Sequence, residues 1–134
     1  MEWNKLVPEL LVADYRRSKD FYRDLFGFTL RFERAEDNFG YFDLAGAQVM
    51  LLQAPAHERD ASPRGKGLHF QVEVEAIAGL LDRLQAANVS LHAPVSETWY
   101  RVDTLEHGQR EFFVSDPDGY LFRFFEYIGE RPAG

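Results

Sequence analysis

The sequence predicts an α+β fold built from two β-α-β-β-β modules in tandem. Runs with a two-residue apolar period alternate with two stretches of helical period. A polar segment rich in Pro and Gly, PAHERDASPRGKG at 55–67, divides the pattern near its middle. Displacing the chain by 62 residues superposes Val7, Leu10 and Val12 on His69, Val72 and Val74, with a helix following at the same distance in each half.

In the first half, 5–13 reads as a strand and Asp14 as the N-cap of a helix over 15–26. Phe21, Tyr22, Leu25 and Phe26 recur at helical spacing and Gly27 stops the helix. In 28–34, Phe28, Leu30 and Phe32 alternate with Thr29, Arg31 and Glu33, which predicts a half-buried strand. Strands 39–44 and 47–53 follow, joined by a turn at Ala45-Gly46. In the second half, 67–74 is a strand and 76–87 a helix with Ile77, Leu80, Leu81 and Leu84 on one face, ending at Asn88. Strands are expected at 89–92, 98–103 and 110–115, then a DPDG turn at 116–119 and a last strand at 120–127. The whole chain, 1–134, reads as one domain: a module at 5–54, a linker at 55–66, a module at 67–127 and a tail at 128–134.

Charge and composition narrow the partners. Acidic residues number 22 against 15 Lys and Arg, a formal charge of −7, which disfavours a phosphate backbone as partner and suits a cationic ligand. With no cysteine there is no disulfide, thiolate nucleophile or Cys-ligated metal. No signal peptide or membrane span is recognisable, so a soluble protein of the cytoplasm is expected.

Strand alternation then assigns faces. In the first strand Leu10 and Val12 go under the helix, leaving Val7, Glu9 and Leu11 opposite. In the strand after the linker, Phe70, Val72 and Val74 take the helix side, and His69, Gln71 and Glu73 the other. In the last strand Phe122 and Phe124 go inward, and Leu121, Arg123 and Phe125 join the face of His69. A sheet with a helix on one side and a partly polar second side has a place for a ligand.

VPELLVADYRRSKDFYRDLFGF, GLHFQVEV and REFFVSDPDGYLFRFFE, in that order and spacing, resemble the vicinal-oxygen-chelate superfamily. That superfamily contains glyoxalase I, extradiol dioxygenases, fosfomycin-resistance enzymes and bleomycin-resistance proteins. The resemblance covers nearly the whole chain and implies two βαβββ modules with mixed, curved sheets forming grooves. In metal-dependent members four side chains, usually two His and two Glu, hold one divalent ion. The corresponding positions here are Val7, His69, Arg123 and about Leu51. Two aliphatic groups and a guanidinium make a poor cage for a dication, so neither metal nor other cofactor is expected.

The opening VPEL and the closing REFFVSDPDG resemble the bleomycin-resistance branch, which implies a homodimer that sequesters a large cationic glycopeptide without turnover. Such a ligand calls for aromatic faces and carboxylates. The candidates are Glu9, Phe39, Tyr41, His69, Glu73, Trp99, Tyr100 and Arg123. Phe39 and Tyr41 serve as ligand platform or as core, and Glu9 and Glu73 meet a cation or stand as solvated charges. Of the neighbours Trp99 and Tyr100, one is packed and one presented, and Trp99 is taken as presented, ahead of a polar loop at 103–109. His69 is a ligand contact or a hydrogen-bonded structural residue. Arg123 pairs with one of the glutamates or with Glu111, or else binds an anion. The alternative is a glyoxalase-like enzyme in which His69 works with Glu73 or Glu9 as acid and base.

Overall fold

The computed structural model describes residues 2–60 and 64–134. It has two compact units: residues 1–66 with 116–120, and residues 67–115 with 121–134. Residues 61–63 of the expected linker lie outside the described residues.

The first unit is a four-stranded sheet in the order β1-β4-β3-β2, built from β1 (Glu9–Val12), β2 (Thr29–Arg34), β3 (Phe39–Leu44) and β4 (Ala47–Gln53). β1 runs parallel to β4 and the other pairs are antiparallel. β1 is shorter than the expected 5–13 because Pro8 has no N–H to donate, although its carbonyl still accepts from Met50 N at 2.9 Å. Helix α1 (Tyr15–Asp20) starts where expected: Asp14 is extended and its carboxylate accepts from Arg17 N at 3.2 Å. The helix widens into a π-helical turn over Phe21–Phe26 and ends at Gly27, whose φ of 88° is a left-handed conformation that glycine adopts without strain. This turn buries Tyr22 and Phe26 against each other and against Phe28, with Phe42 of β3 beneath.

The second unit repeats the arrangement in the order β5-β8-β7-β6, with β5 (His69–Glu73) parallel to β8 (Leu121–Pro132) and β6 (Ala93–Val102) and β7 (Leu105–Ser115) completing the sheet. Helix α2 (Ala78–Ala86) buries Leu80 and Leu84, and the core beneath is Phe112, Val114, Phe122 and Phe124. Identical strand order in the two halves is what the 62-residue echo anticipates.

Other boundaries differ from expectation, and β6 begins at Ala93 rather than at 98. Residues 89–92 form no strand, because Val89 N is used to close the helix end on Leu84 O at 2.9 Å. The segment 103–109 is not a loop: Asp103, with φ of 57°, turns the chain tightly and β7 begins at Leu105. Residues 128–132 are not a tail, since β8 continues through them and pairs with Leu105–Gly108.

The DPDG turn belongs to the first unit and is held there by its two aspartates. Asp116 accepts from Asp118 N, Tyr120 N and, at 2.6 Å, the Tyr22 hydroxyl. Asp118 accepts from Ala13 N at 2.8 Å and from Ser18 Oγ at 3.3 Å, with Arg64 Nε at 3.6 Å. Burial pushes the Asp116 carboxyl up to about 6, its hydrogen bonds offsetting only part of the effect. The folded state therefore binds this proton more tightly than the unfolded chain. Its contribution improves as pH falls from above 6 toward 4 and is lost as pH rises through 6. Denaturant midpoints of Asp116→Asn minus wild type should change across that window, with a total span up to about 3 kcal/mol. A flat difference would show that the carboxyl titrates normally.

Candidate functional site

In each unit the helix covers one side of the sheet, and the candidate residues other than Trp99 fall on the other. In the first unit the register lines up Glu9 on β1, Met50 on β4, Tyr41 on β3 and Phe32 on β2 as one row across the four strands. A second row runs Leu11, Leu52, Phe39 and Arg34. Phe32 stacks on Tyr41 with centroids 5.4 Å apart and planes at 16°, and it meets Phe39 at 5.9 Å. Trp3 stands edge-on to Tyr41 at 4.9 Å and to Phe32 at 5.8 Å. The Arg34 guanidinium lies 4.0 Å over the Phe39 ring. Tyr41 and Phe39 are buried, whereas Phe32 is 40% and Trp3 59% exposed. Glu9 is exposed at the far end of the row.

Phe32 escaped sequence reading for a local reason. Alternation puts it with Phe28 and Leu30, but the chain bulges between Leu30 and Phe32, so Leu30 pairs with Phe42 and Phe32 with Tyr41. That extra residue moves Phe32 to the face opposite α1.

The second unit gathers His69, Glu73, Tyr100 and Arg123 on the face opposite α2. Tyr100 and Arg123 meet on Glu111, buried at 2% exposure. The Tyr100 hydroxyl donates to Glu111 Oε1 at 2.6 Å, and Arg123 Nη1 lies 3.6 Å from Glu111 Oε2 and 3.3 Å from the Tyr100 oxygen. The guanidinium also sits 5.7 Å from both the Tyr100 and the Phe113 ring centroids. Partial burial, and then the bond and charge of Glu111, push the Tyr100 phenol up, with Arg123 opposing. Of the alternatives for Arg123, pairing with Glu111 is the one formed. His69 meets Phe113 edge-on at 5.5 Å, and among the described residues no carboxylate lies within ion-pair distance of it.

Trp99 is on the other face of β6, so the ring presented beside Arg123 is Tyr100, the reverse of the expectation. The absence of a Cβ at Gly108 lets the Trp99 ring lie against β7, since a Cβ there would come within 2.8 Å of it. Arg131 covers the ring at 4.1 Å, and the Trp99 Nε1 donates to Glu97 Oε2 at 3.2 Å. Beside the end of α2 lies a cleft of about 630 Å³ lined by Leu81, Leu84, Gln85 and Leu91 among others. It contains none of the candidate residues.

The family's metal positions can be tested against the register. Leu51 pairs with Leu10 and is fully buried on the helix side, so it is not the counterpart of Arg123. Glu9 pairs with Met50 as Gln71 pairs with Arg123, which makes Met50 the equivalent residue. The first unit thus offers Val7 and Met50, the second His69 and Arg123. An aliphatic group, a thioether and a guanidinium do not fit a hard dication. Among the described residues no group of three His, Asp or Glu is placed to hold one.

Comparison with known proteins agrees with the fold. The chain is 34% identical over 125 residues to the uncharacterized protein YaeR of Escherichia coli (strain K12), covering 87% of this chain and 91% of that one. It is 29% identical over 136 residues to the bleomycin resistance protein of Geobacillus stearothermophilus, covering 91% and 96%. A crystal structure of a protein of unknown function from Agrobacterium tumefaciens str. C58 shares the fold with a TM-score of 0.70 at 23% identity, covering 96% of this chain and 97% of that one. The model of the glyoxalase/bleomycin resistance protein/dioxygenase superfamily matches residues 6–124. With two units of identical strand order and a match across nearly its whole length, the chain belongs to that superfamily.

Proposed function

We propose that this protein binds a cationic, partly aromatic small molecule against the sheet face of its first unit and sequesters it without chemical change, in the manner of a bleomycin-resistance protein. One observation carries the reading: the row Glu9, Met50, Tyr41, Phe32, with a carboxylate at one end and a ring at the other. Stacking on Phe32 takes a planar heterocycle, the thioether of Met50 supplies an adaptable apolar floor, and Glu9 meets a positive charge. In the second unit the Arg123 charge, which would oppose a cation, is matched by Glu111.

Titration calorimetry with metal-free bleomycin tests this. Saturable binding at micromolar or tighter affinity is expected, with bleomycin recovered unaltered by mass spectrometry. Phe32→Ala should weaken binding about tenfold and Glu9→Gln about threefold, the latter effect vanishing at high salt. Absence of saturable heat, or recovery of a modified compound, would overturn the reading.

A further inference from the structure

We propose that Trp3 is the specificity-determining wall of the first unit's ligand face and that Gln48 sets it in place; this rests on that face being the binding surface. Gln48 is on β4, 5% exposed, and its amide is saturated. Its Oε1 accepts from the Tyr41 hydroxyl at 2.5 Å and from Asn4 N at 2.9 Å. Its Nε2 donates to Asp43 Oδ1 at 2.9 Å and to Glu2 O at 2.6 Å. Two acceptor positions and two donor hydrogens are thus all used. Asp43 accepts only, so it fixes which end of the amide is the nitrogen, and Arg31 holds its other oxygen at 3.6 Å.

The two backbone groups bonded by Gln48 are the carbonyl before Trp3 and the N–H after it. A side-chain amide here does what a neighbouring strand's peptide group does, clamping one residue from both sides. Asn4 adds a bond from its side chain to Gly46 O at 2.7 Å. Trp3 itself is largely exposed, and among the described residues its ring meets the aromatic rings of Tyr41 and Phe32. A buried, fully satisfied polar network is costly to assemble, and its product is one exposed indole fixed at the open edge of the Tyr41–Phe32 stack. An indole so placed bounds the surface open to a flat ring and contributes its own edge, while a cation lacking a ring gains little from it.

The test uses full-length protein with Trp99→Phe, which leaves Trp3 as the sole tryptophan. Gln48→Leu should speed the local motion of Trp3 in time-resolved fluorescence anisotropy while far-ultraviolet circular dichroism stays native; unchanged motion would overturn the clamp. Trp3→Ala, a change at an exposed position, should weaken metal-free bleomycin about tenfold and leave spermidine, a cation without a ring, within twofold. Unchanged or tighter bleomycin binding in Trp3→Ala would overturn the wall, the latter because the segment would then compete with the ligand. If the parent binds neither probe, the binding surface itself is wrong and the wall falls with it, whatever the anisotropy reads.

Discussion

Asp118→Ala should destabilise the first unit by about 3–5 kcal/mol, the largest single loss expected from a residue in a turn. The carboxylate is 4% exposed and serves several groups at once. It accepts from Ala13 N at the end of β1 and from the Ser18 hydroxyl on α1, and it faces Arg64, itself only 9% exposed. Truncation leaves a backbone N–H without its acceptor and a guanidinium without its counter-charge in a place water does not readily reach. The consequence reaches the ligand face, since Ala13 follows β1, the strand that carries Glu9. Asp118→Asn is the informative companion: it can still accept from Ala13 but cannot balance Arg64, and it should lie about midway. Chemical denaturation of the three proteins checks this, and a loss below about 1 kcal/mol for Asp118→Ala would mean that the turn is only a connection.

Most of the fold was legible because the two periods are distinct in this sequence. Strands 39–44 and 47–53 were bounded correctly, and so were the helix start at Asp14 and its stop at Gly27, since each depends on nearest neighbours. Some of what failed depends on partners distant in sequence. The start of β7 carries Leu105, Glu106, His107 and Gly108, a run with no apolar alternation. It becomes a strand through pairing with β6 and β8.

The candidate site divides along the same line. Glu9, His69, Glu73 and Arg123 were assigned by parity and fall on the faces opposite the helices, where Phe39 and Tyr41, left open between platform and core, and Tyr100, taken as the packed neighbour of Trp99, also lie. Phe32 and Trp99 were misread, the first because a bulge reverses parity and the second because parity does not say which of two faces is covered. Gly108 was a signal for Trp99 in retrospect: a glycine opposite a tryptophan in a paired strand leaves room for the indole to lie flat. Gln48 carried no signal, because a buried amide that binds a backbone segment 44 residues away leaves no local pattern.

Arg123→Met should also cost about 3–5 kcal/mol, and adding Glu111→Leu should recover most of it. Glu111 is the more deeply buried partner, at 3% side-chain exposure against 22% for Arg123. Removing the cation leaves a desolvated carboxylate whose remaining partner is the Tyr100 hydroxyl. Removing both charges leaves Tyr100, 37% exposed, able to turn its hydroxyl to water, and replaces an ion pair with apolar groups of similar size. A double-mutant cycle by urea denaturation measures the coupling between the two residues. Coupling of several kcal/mol means that Arg123 is committed to Glu111 and that the second unit presents an aromatic face with no unbalanced cation, compatible with a cationic ligand. A single variant within about 1 kcal/mol of wild type would mean the reverse: a guanidinium free to meet an anion, and a ligand of opposite charge to the one proposed.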